Sequence, residues 1–270
     1  MGAQCRSDRE PYTSLSICQL GSGSGGNATL ISTERVHLLI DAGFSFREIV
    51  KRLDNIGKKP EDLDAALISH EHSDHVRGLP QAVKKLKIPI YLTAMTNEAI
   101  DWKKAQPQRE IFQAGQQLVI GDLEIDTFTT PHDAVDPVAF CFHSQGVKLG
   151  LVTDLGYIPD SVRLQIGGCQ LLVLESNHDL DMLKVGPYPW FVKQRVMSRV
   201  GHLSNQAVSD FLTSGFDRDA KTIVLAHLSD NNNHPDVARL FATSALAEAG
   251  INDTKVVVAP QNHTTEVFTF

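Results

Sequence analysis

The sequence predicts a layered α/β protein in which two sheets face each other and helices lie outside them. Short apolar runs rich in β-branched residues recur along the chain, with helical patterns between them. The early runs read as antiparallel hairpins, and the later helices intervene without the regular rhythm of a doubly wound parallel sheet. With 270 residues, 42% hydrophobic and 21% charged, the chain can bury a full-sized core.

In chain order, strands are expected near 15–20, 28–32, 36–41, 65–69, 90–92, 123–129, 138–143, 147–153, 171–175, 222–226 and 256–258. Most are short continuous apolar runs; 123–129 alternates apolar and polar residues, the signature of a half-buried strand. Helices are expected at 45–55, 78–86, 96–104, 189–200, 204–214 and 235–249. Ser204 can cap the fifth, and Pro235 after His234 suits the first turn of the sixth. No composition shift, linker or tandem repeat divides the chain, which predicts a flexible tail over 1–11 and a single domain over 12–270.

Net charge is −7, which excludes a globally basic nucleic-acid coat but leaves a polyanionic substrate open, because bound cations would add positive charge locally. The absence of a long uncharged apolar run predicts no membrane span and no secretory signal. The four cysteines, Cys5, Cys18, Cys141 and Cys169, are widely spaced, which suits reduced thiols in a cytoplasmic protein.

Gly21-Ser22-Gly23-Ser24-Gly25-Gly26 satisfies a dinucleotide fingerprint formally, but a strand follows where that fingerprint needs a helix. A tight hairpin is the expected role; backbone amides facing an anionic ligand are the alternative. The strongest signal is Ser69-His70-Glu71-His72-Ser73-Asp74-His75 directly after an apolar strand. His70 and His72 are two apart, so an extended backbone aims both imidazoles one way, and Asp74 and His75 fall on the turn that follows. This is half of a metal site. Asp41, His132, Asp154 and His227 each stand at a strand end, where a lone residue is commonly a cap or turn. Their repeated placement at one edge completes the donor set.

With these residues the chain resembles the metallo-β-lactamase superfamily, whose motif is His-x-His-x-Asp-His followed by a separate His, Asp and His. The resemblance runs over about 15–260 and implies a four-layer αββα sandwich with two divalent metal ions. It implies that His70, His72 and His132 hold the first, that Asp74, His75 and His227 hold the second, that Asp154 bridges them and that Asp41 stands behind the ligands. The stretches Leu20-Gly-Ser-Gly-Ser-Gly-Gly-Asn-Ala-Thr-Leu, Glu175-Ser-Asn-His-Asp, Gly186-Pro-Tyr-Pro-Trp, Gly201-His-Leu-Ser-Asn and His227-Leu-Ser-Asp-Asn-Asn-Asn resemble the YycJ/WalJ group of bacterial exonucleases. Glu175 with Gly201-His-Leu-Ser also resembles the tRNA 3′-processing branch, but the long basic arm of that branch is missing here.

The expected activity is therefore a metal-dependent phosphodiesterase on nucleic acid, DNA over RNA, in which a hydroxide shared by two metals attacks phosphorus. The polarity, 5′ to 3′, and the DNA preference come from the resemblance. Asp74 would orient the nucleophile or take its proton, and His202, held by Glu175, would protonate the leaving group. Zinc, manganese or iron suits the donors. Lys193, Arg195 and Arg199, interleaved with Tyr188, Trp190 and Phe191, are the candidate nucleic-acid contacts. The competing reading is an amphipathic helix with its aromatics in the core, and Lys84, Lys85, Lys87, Lys103 and Lys104 read as solvated faces. Two other functions compete: hydrolysis of a small thioester, lactone or cyclic phosphodiester on the same metals, and partner binding by a non-catalytic relative.

Overall fold

A computed structural model describes residues 14–217 and 219–270. The expected tail over 1–11, with Cys5, lies outside them. The chain opens with β1 (Ser16–Gly21), β2 (Ala28–Ser32) and β3 (His37–Ile40), followed by α1 (Phe46–Asp54), β4 (Ala65–Leu67), α2 (Ser73–Val76), α3 (Leu79–Leu86), β5 (Ile90–Thr93), α4 (Ala94–Ala99) and β6 (Arg109–Phe112). The second half runs through β7 (Gln117–Ile120), β8 (Leu123–Thr129), β9 (Val138–Ser144), β10 (Val147–Val152), α5 (Asp160–Ile166), β11 (Leu171–Glu175), α6 (Leu180–Val185) and α7 (Trp190–Val196). It ends with α8 (Asn205–Ser214), β12 (Thr222–Ala226), α9 (Pro235–Glu248), β13 (Lys255–Val258) and β14 (Phe268–Thr269).

Two seven-stranded sheets result, ordered β14-β1-β2-β3-β4-β5-β6 and β13-β12-β11-β10-β9-β8-β7. Each begins with antiparallel hairpins and then turns parallel, at β3–β4 in the first sheet and β10–β11 in the second. Parallel neighbours need crossovers, which is why the helices cluster there. Side chains alternate across the strands and make three apolar layers. Leu38, Ile40, Leu171 and Val173 face the other sheet, Leu39 packs outward with Ile49, Leu53 and Val83, and Leu172 and Leu174 pack outward with Val208, Phe211 and Leu246. That is the αββα sandwich. No helix among the described residues is long and apolar enough to cross a membrane, and Cys18, Cys141 and Cys169 are free and buried.

Some elements differ from expectation. The helix expected over 96–104 runs only Ala94–Ala99, because Thr93 caps it early and Ile100 turns extended. The one expected over 189–200 stops at Val196. β6, β7 and β14 were not expected: the first two are four-residue, largely exposed outer strands and the last has two residues. α5 and α6, of seven and six residues, are too short for helical periodicity to stand out.

The parallel strands of both sheets run out into one cleft. Just beyond β3, β10 and β12, Asp41, Asp154 and His227 adopt left-handed backbone with φ of 60°, 61° and 56°, a conformation uncommon for residues other than glycine.

Candidate metal centre

The centre grows from the end of β4. The extended backbone through His72 sets His70 and His72 side by side, and the single turn of α2 carries Asp74 and His75. This loop is tied down through its carbonyls: the Asp74 oxygen accepts from Asn27 N at 2.8 Å and the His75 oxygen from Ala42 N at 2.7 Å. Gly43 allows the approach, since a Cβ there would lie 1.6 Å from the Asp74 carbonyl oxygen.

The structure brings seven of the candidate residues together. Donor atoms of His70, His72 and His132 lie within 4.8 Å of one another, as do those of Asp74, His75 and His227, and those of His70, His75 and Asp154. His72 Nδ1 is 3.2 Å from His132 Nε2, and Asp74 Oδ2 is 3.2 Å from His227 Nε2. Asp154 reaches both groups, with Oδ2 3.3 Å from His75 Nε2 and Oδ1 3.7 Å from His132 Nε2. His70 Nε2 and Asp154 Oδ2 are buried without a hydrogen-bond partner. Buried atoms left so cost about 1–3 kcal/mol each, and a cation would satisfy both. The donor chemistry, imidazole with carboxylate, suits divalent metals.

The outer nitrogens are committed elsewhere. Ser69 donates its hydroxyl hydrogen to Asp41 Oδ2 at 2.8 Å, so His70 Nδ1–H donates to Ser69 Oγ at 3.0 Å. His132 Nδ1–H donates to the Gly201 carbonyl at 3.1 Å, His75 Nδ1–H to Asp41 at 2.8 Å and His227 Nδ1–H to Glu175 at 2.8 Å. In all four imidazoles Nδ1 thereby carries the outer hydrogen bond, and Nε2 is the nitrogen that would bind a cation. Asp41 thus stands behind His75.

Burial, then repulsion from the neighbouring histidines, holds the His70 pKa well below its ordinary value. Burial also lowers His132, against the pull of Asp154. For His75, burial is outweighed by Asp154 and Asp41, and the pKa rises to about 9; His227 is likewise raised, by Asp154, Asp74 and Glu175 against burial. Burial of Asp74 is overcome by His227 and His75, which keep it ionised far below the usual carboxylate range.

Glu175 sits fully buried at the end of β11. Its Oε1 accepts from His202 Nδ1 at 2.7 Å as well as from His227, and its Oε2 accepts from the amides of Leu155 at 3.1 Å and Leu203 at 3.0 Å. These contacts outweigh burial and keep the carboxylate ionised. The His202 pKa is raised in turn: burial opposes, but Glu175 prevails. His202 groups with Asp154, Glu175 and His227 within 4.8 Å, yet its Nδ1 is spent on Glu175.

The segment around α7 departs from the amphipathic-helix reading in its aromatics and from the nucleic-acid reading at Lys193. Trp190 and Phe191 are 63% and 72% exposed, so the aromatics are not core. Lys193 is buried and its ammonium donates to the Lys184 carbonyl at 2.7 Å, so it cannot reach a phosphate; nothing in its sequence neighbourhood distinguishes it from an exposed lysine. Arg195 pairs with Asp133, and Arg199 lies over the Tyr157 ring, 4.1 Å from its centroid.

Sequence reasoning missed the polar residues that brace the site. In the glycine-rich turn, the Ser22 hydroxyl accepts from His227 N at 2.9 Å and donates to Asn27 at 2.8 Å. The amides of Ser22, Gly23, Gly25 and Gly26 are used within the protein, which favours the tight-turn role over anion binding for this loop. Asn177 donates to the His227 carbonyl, and buried Ser176, Asn205 and Asn233 bond one another, joining β11 to the starts of α8 and α9. The only signal was the recurrence of Ser and Asn inside the quoted stretches.

The family model described as the beta-lactamase superfamily domain matches residues 37–227. Exodeoxyribonuclease YycJ of Bacillus anthracis is 37% identical over 243 residues, covering 87% of this chain and 90% of the relative. Exodeoxyribonuclease WalJ of Streptococcus pneumoniae is 36% identical over 237 residues, covering 86% and 88%. Among solved structures, the metallo-β-lactamase fold protein YhfI of Bacillus subtilis superposes with a TM-score of 0.73 at 21% identity, over 96% of this chain and 100% of that one. The chain belongs to the metallo-β-lactamase superfamily, in the group of the YycJ and WalJ exodeoxyribonucleases.

Proposed function

We propose that this protein is a metal-dependent phosphodiesterase of the cytoplasm that degrades DNA exonucleolytically from the 5′ end. The observation that carries the reading is the pairing of two donor groups, joined through Asp154, with a separate Glu175–His202 pair on the same cleft. The names of the YycJ and WalJ relatives support the substrate class. Both sheets contribute donors, which supports reading residues 12–270 as one functional domain.

His70, His72 and His132 would hold one divalent cation and Asp74, His75 and His227 another, with Asp154 contributing to both. The histidine-rich first set suits zinc, and the carboxylates of the second admit manganese or iron. When bound, such a pair supplies an activated water near neutral pH and offsets the charge of the phosphoryl group. The side chains do the rest. Asp74, ionised and flanked by His227 and His75, would orient the attacking water or take its proton. Glu175 fixes His202 by its Nδ1, so that Nε2 presents a proton to the departing sugar oxygen.

His202→Ala separates this role from ligation. A sugar alkoxide is a poor leaving group and nitrophenolate a good one. The variant should keep its metals, lose about 10² to 10⁴-fold on DNA and far less on a nitrophenyl phosphodiester. Loss of metal, or equal slowing of both substrates, would make His202 a ligand or a structural residue. Metal-loaded wild type that cleaves a thioester or lactone but no nucleic acid would overturn the nuclease reading.

A further inference from the structure

Beside the metal motif lies a cleft of about 560 Å³ that the reaction as described does not use. Arg47 from the first turn of α1, Arg77 at the end of α2 and Lys103 from the loop after α4 all line it, and none of its lining residues is acidic. In a chain of net charge −7 this is a local reversal of sign. All three basic side chains are exposed. Arg77 is held at the rim by donating to the Gly25 carbonyl at 2.6 Å.

A second cleft of about 300 Å³ shares Arg77 and Lys103 and runs on to Glu71 and Ser73, which alternate in sequence with the candidate ligands His70, His72 and Asp74. The basic cleft therefore reaches the metal loop at the positions between the candidate ligands, Glu71 and Ser73. Two carboxylates lie on this stretch: Glu71 accepts from Val135 N through Oε1 at 3.0 Å and leaves Oε2 buried without a partner, and Asp101 accepts from Lys103 N at 3.0 Å. An open channel with exposed cations along it suits a chain of phosphates. A single small anion would call for an enclosed pocket with buried donors.

We propose that this cleft carries the sugar-phosphate backbone of the substrate strand away from the metal centre, with Arg47, Arg77 and Lys103 contacting its phosphates. The proposal rests on the nuclease reading above. It moves the main electrostatic contact from the α7 segment, where Lys193 is buried, to three elements that only the fold brings together.

The test titrates metal-loaded protein with a labelled single-stranded oligonucleotide of non-cleavable linkages across about one decade of salt. Each phosphate contact on a single strand contributes about 0.7 to the slope of log affinity against log salt. The triple variant Arg47→Ala/Arg77→Ala/Lys103→Ala should lower that slope by about 2, equivalent to about 100-fold over the decade. Its loss on DNA should exceed its loss on a nitrophenyl phosphodiester by about tenfold or more. Arg47→Ala/Lys103→Ala leaves the Arg77 contact to Gly25 in place and should lower the slope by about 1.4. Arg47→Lys, which keeps the charge, should hold the wild-type slope. If wild type binds and cuts DNA while both alanine variants keep its slope, the cleft is not the path and the nuclease reading stands. If wild type neither binds nor cuts DNA, both fall together.

Discussion

In the first half of the centre His70 and His132 rest their outer nitrogens on a hydroxyl and a backbone carbonyl, whereas in the second half His75 and His227 rest theirs on the carboxylates of Asp41 and Glu175. The pKa directions follow. Burial keeps the first pair neutral, and carboxylates outweigh burial to raise the second pair. A cation entering the first half would meet His70 and His132 with their proton affinity lowered by burial, while one entering the second would displace protons that the carboxylates favour there. One fold thus prepares neighbouring positions by opposite means, exclusion of charge in one and concentration of charge in the other.

Asp154 is where the comparison should break down, because it touches both halves. Asp154→Asn should remove both metals and reduce hydrolysis to background, as elemental analysis and DNA cleavage would register; retention of one full equivalent would mean that Asp154 serves a single half. A selective effect is expected at Asp41. Asn tolerates the left-handed backbone there but cannot accept from His75 with a full charge. Asp41→Asn should weaken the second metal by about 10 to 100-fold and the first, reached only through Ser69, by less, measured by competition with a chelating dye. Equal weakening of both would show that the halves act as one unit. The smallest effect belongs to Ser69→Ala, whose hydroxyl links Asp41 to His70. Loss of one such bond, about 0.5–1.5 kcal/mol, should lower metal affinity by less than about tenfold.

The cluster of candidate donors was legible because each follows an apolar run that reads as a strand, so their types and their placement could be judged together. His70 to His75 needed only six consecutive positions; His132, Asp154 and His227 needed their strand ends to be recognised as equivalent. The sandwich was legible for the same reason, through continuous apolar strands such as β11 and β12, whereas the outer strands β6 and β7 are only four residues long and largely exposed. The basic surface was misread because the burial of Lys193 depends on contact with the end of α6, nine positions earlier. Lys103, read as a solvated face, gains its meaning only beside Arg47 and Arg77, and no local pattern in a sequence records that neighbourhood.

The three left-handed strand ends have a mechanical consequence. Asp41, Asp154 and His227 each hold their chain where an L-residue relaxes by about 1–2 kcal/mol if released, so they are sprung hinges kept shut by what surrounds them. A cation gripped by Asp154 and His227 on one sheet and by the loop after β4 on the other rivets these hinges and closes long stretches of chain, much as a cross-link would. Removal of such a cation would release that tie, and the lifetime of the folded protein would then be coupled to metal supply through the candidate ligands.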